Sequence, residues 1–139
     1  MTTFGQLNIV AGWIFISLGI TTGSIIGMWS FNGPFPTPKG HHDYADLPRR
    51  LNRLAHIACF MLPIINILYG QYIDQMMLSD SVKEVGSIGM IICMVGVPLF
   101  LFLASFKPVF KYFEVVPVAC GTIALYIMSY AHLKILLNK

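Results

Sequence analysis

Three of the four histidines and all three arginines of this chain fall within residues 39–56, in the run KGHHDYADLPRRLNRLAH. Imidazole can bind iron through a ring nitrogen or exchange a proton near neutral pH, and guanidinium pairs with propionate or phosphate. Three kinds of chemistry follow. In one, His56 ligates the iron of a haem b, His41 or His42 supplies the second axial ligand, and Arg49, Arg50 or Arg53 meets the propionates. In another, His56 and the arginines hold a quinone head group. In the third, the cluster is structural: the arginines face anionic lipid head groups or the loop acids Asp43 and Asp46, and His56 bonds a neighbouring helix.

At 100° per residue, His56, Cys59, Pro63, Asn66 and Gly70 share one helix face, with Arg49 on the same side and Arg53 at its edge. Polar groups at membrane depth are costly unless partnered, so this face is expected to point inward, with Asn66 as a further contact for a bound group. A second stripe joins Glu114, Pro117, Gly121, Met128 and His132. Glu114 lies at about the depth of His56, which makes it a candidate proton relay through His56 or Arg53; pairing with Lys111 or Lys107 is the simpler alternative. His132 sits at the far end of a parallel helix, roughly 20 Å or more from His56 in depth, too far to share one iron. Met128 is one turn from His132 and cannot lie across an iron from it. At most one haem can form.

The elements that position these residues come from the distribution of charge. The 139 residues are 56% hydrophobic and 11% charged, against about 25% charged in soluble domains. Residues 1–38, 54–73, 85–106 and 115–133 lack formal side-chain charge, and about 20 mainly apolar residues suffice to cross a bilayer. Barrel strands would be half that length and alternate in polarity. The chain is therefore expected to be all-α: a single integral-membrane domain over 1–139, an antiparallel four-helix transmembrane bundle with spans near 4–29, 48–73, 82–106 and 108–136. The first run lacks a basic leader and exceeds a signal-peptide core, so it is expected to be a retained span. Asp46 should cap the second helix, with Pro48 in its first turn, and Asp80 or Ser81 should cap the third. Pro63, Pro98 and Pro117 should kink the helices that contain them.

Six Lys and Arg residues (39, 49, 50, 53, 107 and 111) flank one face of the bundle and three (83, 134 and 139) the other. The positive-inside rule then predicts a cytoplasmic loop 31–50 and both termini outside, in a bacterial inner membrane. Gly19, Gly23 and Gly27 form overlapping GxxxG patterns that let helix backbones approach, more in keeping with packing inside the bundle than with a neighbouring subunit. Cys59, Cys93 and Cys120 lie inside helices with no metal-ligand spacing, and read as small buried residues.

The sequence carries no HExxH, GxSxG or phosphate-binding loop. It shows no inverted repeat of the kind that builds transporters. These features point to a subunit that is not an enzyme on its own. It is expected to belong to a larger respiratory or photosynthetic electron-transfer complex and to contact lipids, other membrane subunits and either one haem b or a quinone, with no role for nucleic acid. A stand-alone proton or metal-ion carrier using His41, His42, His56 and Glu114, or an assembly factor, is the alternative.

Overall fold

A computed structural model describes residues 3–29 and 33–137. These form four α-helices, α1 (Thr3–Gly27), α2 (Leu47–Ile73), α3 (Asp80–Phe106) and α4 (Val115–Leu137), with a 3₁₀ helix, Pro108–Glu114, leading into α4. Four helical segments, Phe4–Gly27, Leu47–Ile73, Asp80–Phe106 and Pro108–Leu137, are long and apolar enough to cross a membrane.

Successive helices run antiparallel. Gly5 of α1 meets Gly70 of α2, Gly12 meets Pro63 and Ile67, Gly19 meets Cys59 and Gly23 meets His56. At Gly5 and Gly70 each residue's carbonyl occupies the place where the other's Cβ would project, so only glycine permits this crossing. Gly19 and Gly23 thus serve packing within the bundle, as the small-residue stripe suggests. Pro63 cannot donate to the carbonyl of Cys59. That carbonyl lies against Gly19, 3.1 Å from where a Cβ would stand.

A second small-residue seam joins α3 to α4. Gly89 backs onto the Cys120 carbonyl, Cys93 onto Gly121, and Gly96 onto the Pro117 ring. The bundle is not a closed ring: α1 packs on α2 and on part of α3, while the extensive contacts of α4 run to α3. Toward the far end α4 reaches α2, where Tyr69, Ile73, Met90 and Ala124 form one core cluster. There the rings of Tyr72 and His132 lie 5.9 Å apart. Tyr72 is roughly 24 Å along α2 from His56, which agrees with the depth difference that separates the two histidines.

Four local expectations are corrected. Asp46 occupies the N-cap of α2 but makes no side-chain cap bond; its carboxylate accepts from the Asp43 amide at 3.2 Å instead, closing a turn in the loop. Pro48 does stand in the first turn. The N-cap of α3 is Ser79, not Asp80 or Ser81, and it too makes no side-chain bond. The fourth helix does not run unbroken from residue 108. Its first seven residues are 3₁₀, and the α-helix begins at Val115. Pro117 falls in the first turn of α4, where a missing N–H costs no helical bond, so it starts a helix instead of kinking one. Lys107, extended at φ −137° and ψ 107°, ends α3 because a residue preceding proline avoids the helical region.

Candidate functional site

The start of α2 sets the site. Asn52, Ala55, His56 and Cys59 face α1 and α3 across an almost wholly apolar cavity of about 310 Å3. Phe15, Ile25, Ile26 and Trp29 of the α1 segment close one side, and Val95, Pro98, Leu99 and Phe102 of α3 the other. His56 fits because Gly23 opposite has no side chain: a Cβ there would stand 2.8 Å from Nε2. The imidazole meets Phe60 edge-on, with centroids 5.1 Å apart.

Two of the residues that line this cavity hold a buried polar atom with no partner among the described residues: Nδ1 of His56 and Oδ1 of Asn52. Buried polar groups in native proteins are nearly always hydrogen-bonded, so these two atoms are the ones at which this region would meet a polar partner. Asn52, only 3% exposed, was not singled out by sequence reasoning. Its signal was available, an amide one turn before His56 on the same face of α2.

A second chamber of about 210 Å3 lies toward the loop and shares Ile26, Trp29 and Asn52 with the first; His41, Tyr44, Arg49 and Arg53 also line it. Loop 33–46 is folded over this chamber. Gly40, at φ +84°, takes the left-handed turn that a side chain would disfavour. His41 is buried beyond it, at 3% exposure. Its ring lies 5.1 Å from Phe106, its Nδ1 is 3.3 Å from the Lys39 carbonyl, and its Nε2 has no partner among the described residues. Arg49 fastens the loop by donating from Nη1 to the carbonyls of His41, at 3.0 Å, and His42, at 3.3 Å. Arg53 stacks its guanidinium 3.7 Å from the Tyr44 ring centroid.

The structure thus gathers His41, Arg49, Arg53 and His56 around two adjoining chambers. His42 is exposed and contributes its backbone carbonyl. Asn66 lies elsewhere, roughly 15 Å deeper along α2. Its Nδ2 donates to the Asn8 carbonyl at 2.7 Å and its Oδ1 accepts from Asn8 Nδ2 at 2.6 Å. Asn8 Nδ2 also donates to the Ser87 carbonyl at 3.2 Å, so this knot ties α1, α2 and α3 together and is remote from the cavity. Glu114 makes no hydrogen bond or ion pair with His56 or Arg53; it ends the 3₁₀ helix that packs on α3.

Haem fits this arrangement poorly. A bis-histidine haem needs both imidazoles in one slot, whereas His56 lines one chamber and His41 the other, with Asn52 and Trp29 between them. Among the described residues no three His, Cys, Asp or Glu side chains gather as metal ligands. The chain matches no protein-family model, no curated protein and no solved structure.

Proposed function

We propose that the chain is a membrane-embedded, non-catalytic subunit of a larger electron-transfer complex and holds an isoprenoid quinone in the cavity between α1, α2 and α3. One observation carries the proposal: His56 and Asn52, which line an otherwise apolar cavity, each hold a buried polar atom, Nδ1 and Oδ1, with no partner among the described residues. Ligand pockets of this kind combine apolar walls with a few fixed polar groups. An imidazole N–H donates to a quinone carbonyl, and an amide oxygen accepts from the hydroxyl of the reduced form, so the pair suits both redox states. The apolar walls suit the isoprenoid tail. Electrons come from the centres of the parent complex, and this chain binds and orients.

The same proposal places the four helices across a bacterial inner membrane, with the His41–His56 end on the cytoplasmic face according to its excess of Lys and Arg. A stand-alone metal-ion carrier has less support, because the described residues form no ligand cluster.

The test is a titration of the detergent-solubilised protein, carrying Trp13→Phe, with a short-tailed ubiquinone analogue. Quenching of Trp29 fluorescence that weakens in His56→Ala and Asn52→Leu supports the site. Absence of saturable quenching overturns it. A b-type absorbance band in the reduced-minus-oxidised spectrum that disappears in His56→Ala would replace the quinone by haem.

A further inference from the structure

On the outer side of α2, away from the quinone cavity, lies a groove of about 480 Å3 between the start of the helix and the 3₁₀ segment. Arg50 and Arg53 line it from α2 and Lys111 from the 3₁₀ helix, while no acidic residue does. Its remaining walls include Leu47, Leu54 and Ile57, each about half exposed. The 3₁₀ helix is fixed in place by Phe110, which packs against the Leu51, Ala55, Leu101 and Ala104 cluster. This brings Lys111 beside the α2 cations although they are some 60 residues apart in sequence.

The three cations differ in their commitments. The Arg50 guanidinium has no hydrogen bond or ion pair among the described residues, and Arg50 is exposed; its amide serves the helix by donating to Asp46. Arg53 is held over Tyr44 by its flat face, which leaves its N–H edges available. Lys111 forms no salt bridge among the described residues; Glu114, at the end of the same 3₁₀ helix, is three residues away in sequence. Asp46 and Asp43, the other acids nearby, spend their carboxylates on loop amides.

We infer that this groove is a binding site for an acidic phospholipid. Its chemistry changes in the right order along the membrane normal. Arg50, Arg53 and Lys111 stand at the charged end of the bundle, where phosphates lie, and Leu54 and Ile57 continue one to two turns deeper, where acyl chains begin. A zwitterionic lipid would bring its own cation into a groove that holds three positive charges and no lining acid. The inference rests on the helices spanning a bilayer and is independent of what fills the inner cavity.

The experiment is native mass spectrometry of the full chain released from detergent containing equal amounts of phosphatidylglycerol and phosphatidylcholine. Retention of about one phosphatidylglycerol per chain is expected. Each cation removed should lower it about fivefold, so Arg50→Gln with Lys111→Gln should lower it about 25-fold, while Lys134→Gln at the opposite end should leave it unchanged. Equal retention of both lipids, or undiminished phosphatidylglycerol in the double variant, overturns the inference. Quenching of Trp29 by the quinone analogue, measured on the same double variant, should be unchanged; its persistence when lipid selectivity fails would leave the cavity assignment standing by itself.

Discussion

Gly23 and His56 occupy one another's space: the imidazole fills the position from which a Gly23 side chain would project, with Nε2 2.8 Å and Nδ1 3.1 Å from that point. The small residue on α1 and the histidine on α2 therefore act as one unit. Gly23→Ala should displace the ring, cost about 1–3 kcal/mol through overpacking and weaken the quinone analogue as His56→Ala does. Gly27, where a Cβ would meet nothing within 4 Å among the described residues, is the control. Thermal melting in detergent should leave Gly27→Ala within about 0.5 kcal/mol of the parent, as for an ordinary surface substitution.

Asn8 and Asn66, both fully buried, exchange hydrogen bonds across the α1–α2 crossing. Interhelical hydrogen bonds in membranes average about 0.6 kcal/mol and reach about 1.7. Asn66→Ala also leaves the Asn8 carbonyl without its side-chain donor, so a loss of about 1–2 kcal/mol is expected. A double-mutant cycle with Asn8→Ala should show a coupling energy of at least about 0.5 kcal/mol; strict additivity would mean the knot is energetically idle.

Arg49 ties the loop to α2 through the His41 and His42 carbonyls. Arg49→Gln removes a charge-assisted pair at a half-buried position, with an expected cost of about 1 kcal/mol after solvent screening. Trypsin should then cut at Lys39 about fivefold faster, because the loop opens more often. An unchanged cleavage rate would place the restraint elsewhere, in the His41–Phe106 contact.

Cys59 lines the cavity, whereas Cys120 backs onto Gly89 in the α3–α4 seam. A saturating quinone analogue should slow maleimide labelling of a variant whose sole cysteine is Cys59, and leave a Cys120-only variant unaffected. Equal protection of both would indicate general stabilisation of the bundle and not occupancy of this space.

The long charge-free runs made the four helices legible in the sequence, and the Gly19 and Gly23 spacing marked the α1 face that meets α2. The wheel at His56, Cys59 and Asn66 gave the inward side of α2, since polar groups at depth seek partners. It could not distinguish the two depths at which that face works, a tied amide at Asn66 and untied groups at His56. Burial of His41 was beyond reach because it depends on how a loop with three prolines and the Gly40 turn folds back onto Phe106. The 3₁₀ break was hidden for another reason: a proline ten residues into an apolar run reads as a kink unless the helix is known to begin two residues before it. Gly89, Gly96 and Gly121 were visible as letters, but only the contact with Cys93, Pro117 and Cys120 reveals a seam.

That 3₁₀ break also changes how the chain can sit in its solvent. The 23 residues of α4 span about 34 Å, enough alone for a hydrocarbon core of about 30 Å. The seven residues before it add about 14 Å at the steeper 3₁₀ rise. In a bilayer of that depth the 3₁₀ turn is surplus length and lies at the head groups, where Lys111 and the largely exposed Tyr112 are at home. A thicker bilayer can draw part of this turn inward, so mismatch is absorbed at the rim without retilting the three helices that enclose the cavity.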